Sequence, residues 1–278
     1  MRAGVEQTGW QASLGLRFAE RNGETLLLDR RHCGPLRVQR PFYPESRRVC
    51  HVYMLHPPGG LVSGDRLETD IRVDTGAWGL VTTPGAGKLY RSNGRDGVNQ
   101  HHRLQVAAAG TLEWLPQETI VFDGAQADLS TRVELQAGAR FLGWEITCLG
   151  RPASGEALNR CDLRQRFEVW RDDRPLWLER SRYGDNSPLF EAAWGLRGFT
   201  VTGSLFCTDA DDALLENLRN TVRGDNALFS ASRLYGGLVC RYLGHHAEQA
   251  RTLLQSAWRI LRPAALGAAA SSPRIWQT

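Results

Sequence analysis

Leu67-Glu68-Thr69-Asp70-Ile71-Arg72-Val73 alternates apolar and polar residues without a break, then runs through Asp74-Thr75-Gly76-Ala77 into the apolar stretch Trp78-Gly79-Leu80-Val81-Thr82. Alternation at period two is the mark of a half-buried strand, odd positions here facing a core and even ones facing water. A glycine between two such runs is turn chemistry, so the stretch reads as strand, tight turn, strand. The unit recurs around Val106-Ala-Ala-Ala-Gly110-Thr and Leu135-Gln-Ala-Gly138-Ala, with second strands at Leu112 to Pro116 and Arg140 to Glu145. Its period is uneven, roughly thirty residues, which points to stacked hairpin-like units.

Working outward, the same grammar appears at His102 to Val106, Leu129 to Leu135, Phe167 to Trp170 and Phe199 to Leu205. The expected fold is mainly β, with layered or stacked β-sheets built from repeated strand-turn-strand units. Three unusual segments follow the second strands: Thr83 to Lys88, Pro116 to Ile120 and Cys148 to Glu156. If the units stack, these segments gather at one edge. Helical period enters only in the C-terminal third. Ala213, Leu214, Leu215, Leu218 and Val222 share one face, with Asp209 as N-cap and Gly224 as stop. A second face carries Ala250, Leu253, Leu254, Ala257, Trp258 and Leu261, ended by Pro263. Residues 1–278 are thus expected to form one β-rich domain, with two α-helices near 210–223 and 247–262 and a flexible tail over 264–278.

Composition narrows the function classes. The 34 Lys and Arg against 30 Asp and Glu give a net charge of +4, and acids lie among the basic residues, as in Arg171-Asp172-Asp173-Arg174. No basic stripe with interleaved aromatics follows a phosphate backbone, so no nucleic-acid partner is expected. Met1 to Glu20 lacks an apolar signal core, and no run approaches the roughly eighteen apolar residues that cross a bilayer. A cytoplasmic protein with no membrane partner is the expectation. The six cysteines form no C-x-x-C pair and read as mostly buried thiols.

Chemistry-bearing motifs are sparse. Pro84-Gly85-Ala86-Gly87-Lys88 invites a phosphate-loop reading, but Thr82 stands where the first glycine belongs and Leu89 where Ser or Thr must follow the lysine. No G-x-S-x-G elbow is present. His101-His102 and His245-His246 are adjacent pairs whose side chains diverge on a strand or a helix. Acids in apolar or turn settings stand out instead: Asp65, Glu118, Asp123, Glu145, Glu156 and Glu179. Carboxylates bind divalent ions exchangeably. Glu145 is the sharpest of them, because Leu142-Gly-Trp-Glu-Ile146 is otherwise apolar and an unpartnered buried carboxylate is costly. The plain alternative for each acid is a salt bridge to one of the many arginines.

Five segments together resemble the UreD (UreH) family of urease accessory proteins. They are Pro57-Pro-Gly-Gly-Leu-Val-Ser-Gly-Asp65, Thr83-Pro-Gly-Ala-Gly-Lys-Leu-Tyr-Arg-Ser92, Leu112-Glu-Trp-Leu-Pro-Gln-Glu-Thr-Ile-Val-Phe-Asp-Gly-Ala125, Trp144-Glu-Ile-Thr-Cys-Leu-Gly-Arg-Pro-Ala-Ser-Gly-Glu156, and Arg262-Pro263 with Pro273-Arg-Ile-Trp-Gln-Thr278. The resemblance implies a non-enzymatic scaffold that works with UreF and the GTPase UreG on apo-urease. It also implies nickel in transit, with no stably bound cofactor, and an internal water-filled passage toward the di-nickel site. By motif position the passage-lining candidates are Asp65, Thr83, Glu145 and Glu179. The family often carries Ser where Gly87 stands and Asp where Glu145 stands. Trp276, Ile275 and Arg274 are the expected partner anchor, so truncation before Pro273 should abolish assembly without unfolding the body. The rival reading is a β-stack carbohydrate-active hydrolase using a carboxylate pair such as Asp65 and Glu145.

Overall fold

The computed structural model describes residues 9–94, 96–151, 154–224 and 226–277. Pro152 and Ala153 of the third loop segment and Thr278 of the tail therefore lie outside the described residues, as do residues 1–8. The chain opens with a long hairpin, β1 (Gln11–Arg21) and β2 (Glu24–Cys33), then β3 (Arg37–Val38) and β4 (Cys50–Leu55). The opening repeat forms β5 (Arg66–Val73) and β6 (Trp78–Thr82), followed by the short β7 (Gly87–Leu89). The next repeats give β8 (Val98–Val106), β9 (Thr111–Leu115), β10 (Thr119–Val121), β11 (Ala125–Leu135) and β12 (Arg140–Leu149). The remainder comprises β13 (Cys161–Arg171), β14 (Arg174–Tyr183), β15 (Val201–Thr208), α1 (Asp212–Thr221), β16 (Leu228–Leu234), β17 (Gly237–Gly244) and α2 (Ala247–Leu261).

The two strands of each repeat do not pair with each other. β5, β8 and β11 lie side by side and parallel in a seven-stranded sheet ordered β14-β13-β11-β8-β5-β1-β2. β6, β9 and β12 lie parallel in a ten-stranded sheet ordered β16-β17-β15-β12-β9-β6-β4-β3, with β7 and β10 attached through β12. Each tight turn thus carries the chain from one sheet to the other, and successive units stack as coils. Gly76 and Gly138 make the turn at φ 75° and 72°. In the middle unit Ala109 takes the positive φ, 56°, and Gly110 is needed for space instead: a Cβ there would meet the carbonyl oxygens of Ala107 and Asp74 at 2.9 and 3.0 Å.

Alternation decides which core each side chain enters. Leu67, Ile71 and Val73 of β5, Leu104 and Val106 of β8, and Leu112 and Trp114 of β9 fill the space between the sheets. The opposite faces of the second sheet's strands, including Trp78, Leu80, Leu142, Trp144 and Leu205, pack beneath the helices. The result is sheet, sheet, helix. The buried face of α2 carries Ala250, Leu253, Leu254, Ala257, Trp258 and Leu261, and each fully buried leucine there is worth about 1.5–3 kcal/mol. α1 buries Leu215 and Leu218. Its cap is Asp211, whose carboxylate accepts from the Leu214 N–H at 2.9 Å, and not the expected Asp209, which sits at φ 58° before the helix begins.

The segment expected to be a flexible tail is built into the body. Past α2, Arg262–Leu266 continues as a wide π turn that buries Ala265 and Leu266, so Pro263 redirects the helix without releasing the chain. Gly267, at φ 87°, closes that turn by donating to the Arg262 and Pro263 carbonyls. A final 3-10 turn, Arg274–Gln277, brings Trp276 against the rings of Trp144 and Trp258 at 5.8 Å each. Five cysteines are buried free thiols; Cys33 is exposed. Among the described residues, no helix is long and apolar enough to cross a membrane.

Candidate functional site

The three loop segments that follow β6, β9 and β12 do come together. β10 lies between β7 and the end of β12, pairing Thr119 with Gly87 on one side and with Thr147 on the other. The Gly87 N–H donates to the Glu118 carbonyl at 2.8 Å and the Gly150 N–H to that of Val121 at 2.8 Å. Thr83 ties two of the loops: its Oγ1 accepts from the Gln117 N–H at 2.9 Å and donates to the Gly85 carbonyl. This rim opens into a cavity of about 250 Å³ between the sheets, wide enough for several waters.

From the rim at Thr83, Gly87 and Pro116 the cavity runs inward past Trp114 and His102 to Thr131, Glu145 and Gln165. A second, smaller cavity of about 40 Å³ begins at the same Glu145 and Gln165 and continues to Thr147, Ser181 and Glu179. Glu145 therefore stands at the junction, on the inner face of β12. The backbone explains its place: Leu142, Trp144 and Ile146 point toward the helices, so the residue between Trp144 and Ile146 must point the other way.

Of the six acids singled out in the sequence, four have arginine partners. Glu118 takes Arg251 from α2 at 2.9 and 3.0 Å, Glu179 takes Arg241 at 3.1 Å, and Glu156 pairs with Arg151. Asp123 accepts the Asn159 and Arg160 N–H groups, 2.8 Å each, and meets Arg91 at 3.0 Å. Backbone donation and Arg91 hold the Asp123 carboxyl below its usual range. Asp65 is wholly buried and spends its oxygens on the N–H groups of Trp10, 2.7 Å, and Val62, 2.9 Å. It fixes the loop behind the cavity and lines neither chamber, so it does not face Glu145 as a hydrolase pair would. Glu145 accepts from the Thr131 hydroxyl and, at 3.0 Å, from the Gln165 carboxamide. Those are neutral donors. Burial outweighs them, with Glu179 adding repulsion, and the carboxyl is pushed up to about 7. It can therefore take or release a proton near neutrality, or exchange that proton for a cation.

The expected partner anchor meets a different environment. The Trp276 indole donates to Thr82 Oγ1 at 2.8 Å, and its ring packs against Trp144 and Trp258. Of Arg274, Ile275 and Trp276, only Arg274 is exposed. Truncation before Pro273 would thus strip contacts from the body itself.

Glu113 is the residue that sequence reading passed over. It points from β9 toward the helices, fully buried, and accepts from Trp78 Nε1 at 2.9 Å, Trp258 Nε1 at 2.6 Å and Arg262 Nε at 3.0 Å. Arg262, also buried, reaches on to Glu45 at 2.8 and 2.9 Å, and Glu45 meets His51 Nε2 at 2.9 Å. Burial alone would raise Glu45, but the hydrogen bonds from His51 and Arg262 outweigh it and hold the carboxyl below its ordinary value. The available signal was the one used for Glu145: a single acid in an apolar strand, Leu112-Glu-Trp-Leu115.

A family model described as UreD urease accessory protein matches residues 11–277. The chain is 46% identical to Urease accessory protein UreD 2 of Brucella anthropi, over 98% of this chain and 99% of that protein. It is 48% identical to Urease accessory protein UreD of Pseudomonas fluorescens, over 97% and 95% of the two chains. It is 45% identical to the protein of that name from Dechloromonas aromatica, again over 97% and 95%.

Proposed function

This chain belongs to the UreD family of urease accessory proteins, and from that premise we propose that it is a scaffold through which nickel reaches apo-urease. Its role is in urease maturation, and the family is one of accessory proteins, not of catalysts. On this reading the chain works in the cytoplasm, in a complex with UreF and the GTPase UreG, and docks on apo-urease. UreG carries the nucleotide, which accounts for the incomplete phosphate loop at Pro84–Lys88. Nickel is cargo here, handed from oxygen to oxygen, and Glu145, Thr83 and Glu179 are the residues of this chain that offer those oxygens.

The observation that carries the reading is the pair of chambers meeting at Glu145. A rigid two-sheet frame walls them, one rim is built from the clustered loops, and the carboxylate at the junction lacks a basic partner among the described residues. A group that holds no fixed counter-ion is free to accept a passing one. The test is co-expression with the same organism's UreF, UreG and apo-urease, weighing the complexes by light scattering with and without this chain. Co-elution that depends on the chain supports the scaffold. A soluble, folded chain that binds none of the three overturns it.

A further inference from the structure

His102 lines the main cavity from β8, while its neighbour His101 points the other way. The alternation that separates the two rings is what delivers His102 alone to the interior. By strand register it lies beside Thr131, the donor to Glu145, and Gln100 lies beside Leu129, which in turn lies beside Gln165, the other donor. The imidazole on one sheet and the carboxylate on the other therefore line one chamber, linked through Thr131, which neighbours His102 in register and donates to Glu145.

The ring's contacts fix its state. The Gln100 carboxamide nitrogen sits 3.1 Å from His102 Nε2, and in this orientation of the carboxamide Nε2 is the acceptor and carries the lone pair. The proton then resides on Nδ1, which is shut away beside the Trp114 ring, 4.9 Å between centroids, with no hydrogen-bond partner. Neutral imidazole through Nε2 is the common metal-binding form of histidine. Carbon packing would fill this place at lower cost than a histidine with a stranded N–H.

We propose that His102 Nε2, with Gln100, forms a way-station for a divalent first-row cation beside Glu145, an inference that rests on the cavity being an ion path. The cation displaces the Gln100 N–H from Nε2, and the carboxamide turns its oxygen toward the ion as a second ligand. Nickel-type cations accept imidazole nitrogen together with carboxylate and carbonyl oxygen. The missing partner on Nδ1 keeps the nitrogen a weaker ligand than one backed by a carboxylate, and a station must let go.

The test uses the full-length chain with 15N-labelled histidine and Ni2+ alone as the probe. Addition of Ni2+ should broaden the His102 ring resonances, and the broadening should weaken in Glu145→Gln. In cells, His102→Gln should leave co-purification with the partners intact and raise about tenfold the nickel needed for half-maximal urease loading, the scale that loss of support at a metal site carries. Broadening confined to the exposed His101, with normal loading by His102→Gln, overturns the station. If Glu145→Gln still impairs loading in that case, the ion path survives without it; if neither variant impairs loading, the path falls as well.

Discussion

Glu113 and Glu145 stand on neighbouring parallel strands of one sheet, both in apolar segments, and point to opposite faces. Glu113 is met by two indole N–H groups and the Arg262 guanidinium, itself stacked between Trp78 at 5.0 Å and Trp258 at 5.6 Å. Glu145 is met by a hydroxyl and a carboxamide, with open volume beside it. The difference separates two uses of a carboxylate in the interior. One is saturated by donors and pins α2 and the turn that follows it to the sheet. The other is left a charge short, and its own ionisation equilibrium is displaced as a result.

The largest expected effect lies on the saturated side. Replacing Arg262 by leucine leaves Glu113 buried and without its cation, which should destabilise the fold by about 3–5 kcal/mol. Denaturant unfolding of purified Arg262→Leu measures it, and a loss below about 1 kcal/mol would mean that the network is ornamental.

The next effect lies on the unsaturated side and has a pH signature. Folded Glu145 keeps its proton up to about 7, while in the unfolded chain the carboxyl titrates near its ordinary 4.5. Between those values the folded chain holds more protons, so stability conferred by the neutral acid is present below the lower value and is lost as pH rises through the upper one. Glu145→Gln removes that slope. Between about pH 5 and pH 8 the variant should gain on the wild type by about 1–3 kcal/mol, seen as diverging urea midpoints. Parallel midpoints would contradict the assigned burial.

A smaller effect tests the tail. Trp276→Ala removes a half-buried indole and its bond to Thr82, and should cost about 1–2 kcal/mol of stability in the chain alone. An unchanged melting temperature together with lost partner binding would restore Trp276 to the role of an outward anchor.

The repeat was legible in the sequence because its signal is local: a glycine turn between two alternating runs, three times over, at Gly76, Gly110 and Gly138. That the two strands of a unit part into different sheets was not written locally, since alternation reports that one face is buried and not which neighbour covers it. The clustering of the loops after β6, β9 and β12 followed from the repeat alone. The buried place of Glu145 was legible for the same reason that that of Glu113 should have been. What the strand pattern could not supply was the partner, 149 residues away in the case of Arg262. His102 was visible as a residue and hidden as a site, because only the second sheet, arriving with Trp114, encloses it. Trp276 stood out in the sequence, but its contacts with the chain's own Trp144 and Trp258 were not written locally.

The central claim, that Glu145 serves an ion in passage while Glu113 serves the fold, is tested most directly by the nickel content of urease matured with Glu145→Gln. Purified from cells at limiting nickel, that urease should carry markedly less nickel than with the wild-type chain, although the variant co-purifies with its partners in normal amount. Full nickel loading by Glu145→Gln would contradict the account and return Glu145 to the fold.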